Sequence, residues 1–334
     1  MHVLVTGSAG FVGFHVARRL LEAGHAVTGF DNLNPYYDVA LKAARHAVLG
    51  AFAGFRPVVG ALEDMAALEA AIAGSAPDVI IHLAAQAGVR HSLDQPRSYL
   101  QSNVVGTFNL IELARQARPR HLLIASTSSV YGANDQMPFG ENDRTDHPLT
   151  FYAATKKATE VMAHSTAHLW KVPVTAFRFF TVYGPWGRPD MAYYKFVRAA
   201  FADEPIEVYG HGRMRRDFTY IDDLVEAVTR LIDRVPVEGA PVGAEDSLSP
   251  AAPFRVVNMG GGQPVALLDY IDAIERAVGR PIRRVLIPMQ KGDVEATTAS
   301  TTLLRDLIGF VPATPVDDGI ARFVAWFRDH HGLA

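Results

Sequence analysis

Residues 2–31 read HVLVTGSAGFVGFHVARRLLEAGHAVTGFD, and this stretch decides the fold. An apolar, β-branched run meets three glycines spaced Gly-x-x-Gly-x-x-Gly at Gly7, Gly10 and Gly13. Helical periodicity follows and stops at Gly24, a residue suited to a helix C-terminus. A second apolar run, AVTGFD, ends on Asp31. Glycines between a strand and a helix permit a tight turn and close approach of the backbone to a diphosphate, which then rests on the helix N-terminus. An acidic residue closing the second strand is placed to accept bonds from an adenosine ribose. No arginine follows Asp31 directly, which favours NAD over NADP. A glycine triplet alone is a weak signal, and Asp31 in DNLNP also suits a turn. The strand before, the helix after and the acid beyond make the ribose role the stronger reading.

Moving outward, RPVVGAL (56–62), DVIIHLAA (78–85), HLLIAST (121–127) and VPVTAFRFFT (172–181) read as further strands, and SNVVGTFNLIELARQA (102–117) as a helix. Strands that are apolar throughout and alternate with helices predict an α/β, doubly wound parallel sheet covered on both faces. Beyond residue 181 the pattern loosens into loops rich in Gly, Pro and Arg. TYIDDLVEAVTRLI then returns to a helix, and FRVVNMGGG (254–262) to a buried strand. The expected division is a dinucleotide-binding domain over 1–180 that also receives about 217–262. A smaller, interleaved substrate domain takes 181–216 and 263–334. Residues 236–253, rich in Pro, Gly, Ala and Ser, predict a mobile surface loop.

The composition sets outer bounds. The chain has 334 residues, 49% hydrophobic and 20% charged, with net charge −3. That balance offers no broad basic surface for nucleic acid. No cysteine is present, so disulfides, thiolate metal sites and a cysteine nucleophile are excluded, and a reducing compartment fits. The 13 histidines show no metal-ligand spacing, and no metal is expected. No apolar run reaches the ~18 residues of a membrane span, and the first residues do not resemble a secretion signal. A cytoplasmic protein is the expectation.

FYAATKKATE (151–160) places Tyr152 and Lys156 on one helix face. A free phenol has a pKa near ~10. A lysine ammonium one turn away and the positive ring of an oxidised nicotinamide both favour the phenolate. Bringing the phenol to neutrality takes about 4 kcal/mol of such preference. The bare Tyr-x-x-x-Lys pattern occurs in many helices without function. The hydroxyl cluster ASTSSVYG (125–132) raises its weight, because ligands of an open parallel sheet bind beyond the carboxyl ends of the strands.

The glycine spacing and the order of these motifs resemble the extended short-chain dehydrogenase/reductases that act on nucleotide sugars. DNLNPYYDVALKAAR (31–45) and RFFTVYGPWGRPDMA (178–192) narrow the resemblance to UDP-glucuronate 4-epimerases. HLAAQAGVRHSL, RRDFTYIDDLVEA and KGDVEATTAS agree but are shared more widely. Carried over by position, the resemblance implies Thr127, Tyr152 and Lys156 as the catalytic group, with Lys156 also on the nicotinamide ribose. It implies a tightly held NAD among Gly7, Gly10, Phe11, Val12, Gly13, Asp31, Asn32 and Leu62. Leu83, Ala84, Ala85, Gln86, Asn103 and Phe180 complete that set; Asn103 equally suits an ordinary helix start. It implies a UDP-sugar substrate and a homodimer formed through two helices per subunit, 100–117 and 152–170. Neither nucleic acid nor membrane is an expected partner.

The implied reaction oxidises sugar carbon 4, turns the 4-keto ring over and reduces its other face. A 4-keto uronate is a β-keto acid and can lose carbon dioxide, so its carboxylate must be held against cleavage. Ser128, Ser129 and Thr181 are suitable donors, although Thr181 also suits a plain strand end. Arg90, Arg188 and Arg216 are candidates for carboxylate or diphosphate. Family position assigns Arg216 to the diphosphate, Arg188 to the nucleotide and Asp293 to the uridine ribose. Within RMRR (213–216) at least two residues read as surface charge. Departures exist: Ala61 stands where an acidic residue usually meets adenine, Lys291 where proline is common and Ser300 where aspartate is common. Asp222 and Asp223 open a helix and read as N-caps. Ser128 and Ser129 are neither acidic nor basic, which speaks against a dehydratase. A decarboxylase, another UDP-sugar 4-epimerase or a catalytically silent NAD sensor are the remaining alternatives.

Overall fold

The computed structural model describes residues 1–333. Twelve strands follow in chain order: β1 His2–Thr6, β2 Ala26–Asp31, β3 Phe55–Val59, β4 Val79–His82, β5 His121–Thr127, β6 Val174–Phe179, β7 Thr181–Tyr183, β8 Ile206–Val208, β9 Arg215–Tyr220, β10 Phe254–Met259, β11 Pro264–Ala266 and β12 Arg284–Leu286. Seven form one sheet in the order β10-β6-β5-β4-β1-β2-β3, and every neighbouring pair is parallel. The sheet has two coated faces because its strands are apolar on both. Val3 and Val5 of β1 join one hydrophobic cluster, while Leu4 between them joins the other. Val79, Ile81 and Ile80 divide in the same way along β4. Residues two apart share a face, so a continuous apolar run is what a doubly covered strand requires. β3 carries Pro57 and exposed Arg56, which an edge strand tolerates.

Strand order reverses between β1 and β4, and the crevice at their carboxyl ends is where such sheets bind ligands. Two short sheets sit beyond that edge: β11-β9-β7 and the parallel pair β12-β8. Helices Ala192–Ala202, Leu267–Val278 and Val316–His331 cover them. Aromatic packing joins these elements, with Tyr270 stacked on Phe218 at 3.9 Å and Tyr193 edge-on to Phe323 at 4.8 Å.

Four sequence expectations change. Residues 172–181 are not one strand: β6 ends at Phe179, and Thr181 begins β7 in a different sheet. The helix expected over 102–117 opens as a π-helical turn, Leu100–Val105, before the α-helix Gly106–Ala117. Only the first half of 236–253 is a surface loop. Asp246 buries its carboxylate against Arg255 at 2.7 Å, and the Ser249 hydroxyl meets the His164 ring at 2.8 Å. Asp222 and Asp223 lie in the first turn of the helix Ile221–Leu231, but its N-cap is Tyr220. Asp223 instead accepts from the backbone N–H groups of Ala313 and Thr314, at 3.0 and 2.8 Å. No helix among the described residues is long and apolar enough to cross a membrane.

Candidate active site

The glycine loop follows from local sterics. Gly7 has φ +76°, and a Cβ on Gly13 would lie 2.0 Å from the Gly7 carbonyl oxygen. Only glycine at 13 lets the helix Phe11–Glu22 start this close to β1. That helix has no side-chain cap, so its first N–H groups are free donors at the cleft. Asp31 accepts from the Ala9 and Leu33 amides at 3.1 and 2.8 Å. It therefore makes the turn contact and also lines the cleft, where its carboxylate retains acceptor capacity. Uncapped helix donors, a loop without side chains and a carboxylate at the second strand fit a dinucleotide.

A cleft of about 260 Å³ contains Gly7, Gly10, Phe11, Val12, Gly13, Asp31, Asn32, Leu62, Leu83, Ala84, Ala85 and Gln86, together with Lys156. A larger cavity of about 800 Å³ is lined by Arg90, Ser128, Ser129, Thr181, Arg216 and Asp293. Thr127, Tyr152, Phe180 and Arg188 line both, so the two spaces meet there. Asn103 is the exception. It is buried behind the cleft, accepts from the Gln86 amide at 2.8 Å and donates to the Thr155 hydroxyl at 3.1 Å. It bridges the loop after β4 to the catalytic helix without lining either space.

Thr150 caps the helix Phe151–Trp170 by accepting from the Ala153 amide. This sets Tyr152 and Lys156 on the face toward β5. The Thr127 hydroxyl donates to the Ser129 hydroxyl at 3.2 Å, and Thr127 and the Tyr152 phenol line the same cleft. Burial pushes the phenol above its ordinary value, opposed by Thr127 and then by the Arg188 charge. Of the two charges expected to lower it, the Lys156 ammonium is not among the groups that oppose burial here. Burial also lowers Lys156, to about 8, with the Glu160 carboxylate opposing. His82, at the end of β4, has no free role. It is held between Thr6 (2.7 Å) and Thr107 (3.0 Å), and burial keeps it neutral at about 3.

At the far end of the larger cavity, Arg90 pairs with Asp293 at 3.2 Å and lies over the Tyr209 ring at 4.5 Å. Arg216 donates to the carbonyls of Val294 (2.7 Å) and Glu295 (3.1 Å) and has no carboxylate partner among the described residues. Arg188 is elsewhere, at the junction of the two spaces. It pairs with Asp190, which burial would raise but which the Arg188 guanidinium holds below the usual carboxylate range.

Tyr36, Lys42 and Asp190 line these spaces without having been singled out from the sequence. One signal was available. Lys42 and Arg45 are cations on the apolar face of the helix Val39–Gly50, between buried Leu41 and Leu49. No cluster of potential metal ligands exists among the described residues.

A dinucleotide cleft that holds Lys156 and meets a larger cavity at Thr127 and Tyr152 defines a nicotinamide-dependent enzyme of the short-chain dehydrogenase/reductase type. Residues 3–241 match the NAD dependent epimerase/dehydratase family, and the chain belongs to that family. It is 58% identical over 337 residues to a probable UDP-glucuronate 4-epimerase of Rhizobium meliloti (strain 1021), covering 100% of this chain and 99% of that protein. UDP-glucuronate 4-epimerase 1 of Arabidopsis thaliana is 42% identical, covering 99% of this chain and 77% of the plant protein. The solved UDP-glucuronic acid 4-epimerase from Bacillus cereus, in complex with UDP-glucuronic acid and NAD, superposes with a TM-score of 0.87 at 28% identity, covering 99% of this chain and 100% of that one.

Proposed function

We propose that this protein interconverts UDP-glucuronate and UDP-galacturonate with a resident NAD in the narrower cleft. The observation that carries this reading is the meeting of the two spaces at Thr127, Tyr152 and Phe180. A sugar reaching in from the larger space and a nicotinamide from the smaller one would come together at the Tyr152 phenol, where Thr127 at the end of β5 also lines both spaces. NAD, when bound, takes hydride from sugar carbon 4 and returns it to the opposite face of the ring.

Tyr152 takes the proton of the carbon-4 hydroxyl and gives it back on the return step, while Thr127 orients the phenol. Because burial favours the protonated phenol, Tyr152 needs further positive charge beside it to act as a base. Ser128, Ser129 and Thr181 donate to the sugar carboxylate and hold the carbon–carbon bond out of alignment with the ketone, which disfavours loss of carbon dioxide. Arg216 takes the diphosphate: its guanidinium is tethered to carbonyls and the Met214 sulfur and pairs with no carboxylate among the described residues. Asp293 receives the uridine ribose, with Arg90 steadying it. Arg188, assigned to the nucleotide by family position, lines both spaces with Tyr152 and is proposed instead to act near the reacting carbon.

The same reading divides the chain into a cofactor domain of 1–180 with 217–262 and a sugar-nucleotide domain of the remainder. It includes a homodimer, with the cytoplasm as the proposed compartment. Phe108, Val161 and Leu169, on helices Gly106–Ala117 and Phe151–Trp170, are 52%, 57% and 60% exposed and would be covered by a second copy.

Incubation with UDP-glucuronate, UDP-glucose and UDP-xylose, with products read by NMR, tests the proposal. UDP-galacturonate from the first, with little carbon dioxide, is expected. UDP-pentose as the main product would make the protein a decarboxylase. Bound NAD with no Tyr152-dependent turnover would make it a sensor.

A further inference from the structure

The two segments that carry the narrowest resemblance, 31–45 and 178–192, form one physical unit. Arg45 is fully buried, yet no carboxylate pairs with it among the described residues. Its Nη1 donates to the Ala9 carbonyl in the glycine loop and to the Tyr37 phenol, both at 2.7 Å. Its Nη2 donates to the carbonyls of Trp186 at 2.6 Å and Gly187 at 3.2 Å. The preceding carbonyl, Pro185, meets His15 Nε2 at 2.9 Å. Burial keeps that imidazole neutral at neutral pH, with a pKa of about 4. Three consecutive carbonyls of the loop after β7 are thus held by side chains from the cofactor half of the molecule. Trp186 between them sits at φ +60°, a conformation that a side-chain-bearing residue keeps only when its surroundings impose it.

The next residue is Arg188. Tyr36, from the same 31–45 segment, donates through its hydroxyl to Asp190 at 3.1 Å, and Asp190 in turn grips Arg188 at 3.0 and 2.5 Å. The glycine loop, the wall of the cofactor cleft and the arginine at the junction are therefore joined through two side chains. A guanidinium buried without an anion is unfavourable by itself. Its value here lies in what it joins, since small displacements of a group near a reacting centre cost rate steeply.

We propose that Arg45 and Tyr36 are positioning residues that fix the loop 184–190 to the cofactor cleft and so set Arg188 against the reacting end of the sugar. What Arg188 does there rests on the function proposed above; the mechanical tie does not. A Lys at 45 would keep the charge but lacks the fork that spans the glycine loop and the Trp186 and Gly187 carbonyls.

The test uses the NAD-loaded protein and the variants Tyr36→Phe and Arg45→Met, each alone and combined with Arg188→Ala. Hydrogen exchange of the amides of 184–190 should quicken by about tenfold or more in both single variants, with the strands of the large sheet unchanged. On UDP-glucuronate, kcat should fall by about tenfold or more with KM altered less than about twofold. In the Arg188→Ala background each variant should change kcat by less than about twofold, because residues acting through one group do not add. Unchanged exchange at 184–190, or losses that multiply with that of Arg188→Ala, would overturn the proposal. Should the wild type not turn over UDP-glucuronate, the functional reading falls while the exchange measurement, which needs no substrate, still decides this one. Tyr36→Phe removes a single oxygen, so the comparison survives if Arg45→Met does not fold.

Discussion

Glu160, one helical turn beyond Lys156, gives its two carboxylate oxygens to the Arg178 guanidinium at 2.9 Å each. Ser126, next to Thr127, donates to the same carboxylate. The pair is buried, with side chains 2% and 3% exposed. Burial alone would raise Glu160, but Arg178 holds it below the usual carboxylate range. Three elements that carry site residues, β5, β6 and the helix Phe151–Trp170, are fastened at this point.

Arg178→Met should leave the buried Glu160 carboxylate with only the Ser126 hydroxyl and the Lys157 ammonium 3.5 Å away, and cost about 3 kcal/mol of stability. Arg178→Met combined with Glu160→Leu should recover much of that loss, because an apolar pair of similar volume needs no charge compensation. Urea unfolding measures both. A single-variant cost under about 1 kcal/mol would show that the pair does not hold the three elements together.

Glu141 gives a pH prediction. Burial raises its carboxyl to about 7, from an ordinary 4.5, against the opposing bond from the Asn258 amide. In this window the folded protein binds the proton more tightly than the unfolded chain does. The associated stability is fully present below pH ~4.5 and is lost as pH rises through ~7, by about 3 kcal/mol. Glu141→Gln keeps an acceptor for Asn258 without titrating. It should match the wild type near pH 4.5 and exceed it at pH 8 by a few kcal/mol. Parallel stability curves across that range would contradict the assignment.

Tyr152→Phe should retain NAD and lose turnover by about 10²–10⁴-fold, the usual weight of a positioned acid–base group. In the wild type, Lys156 loses its proton near pH 8. If its ammonium supports the phenolate, kcat should decline above that pH. A flat profile to pH 10 would remove Lys156 from the proton chemistry.

Val161→Asp and Phe108→Asp place charge on the exposed apolar faces of the two long helices. Each should convert a dimer to a monomer in light scattering. A wild-type protein that is monomeric at tens of micromolar would end the dimer proposal.

How much of this was legible in the sequence follows from the range of the forces involved. β1, β2 and β5 were readable because strands buried on both faces carry apolar residues on both, as the runs VLV, AV and LLIA show. The glycine loop was readable because its sterics are local. The break at Phe180 was not, because VPVTAFRFFT stays apolar across it while the chain changes sheets. The bridge that Asn103 makes was not legible, since its partners Gln86 and Thr155 lie 17 and 52 residues away. Asp223 looked like a cap for the same reason: the amides it binds come from 90 residues downstream. At Tyr152, the charges counted from the sequence leave out the cost of burying the phenolate.

The narrow junction at Thr127, Tyr152, Phe180 and Arg188 has a kinetic consequence. Nucleotide sugars can come and go through the roomier compartment while the dinucleotide keeps its own berth. Steady-state rates should therefore saturate in a single variable, the concentration of the sugar nucleotide, with no second co-substrate term.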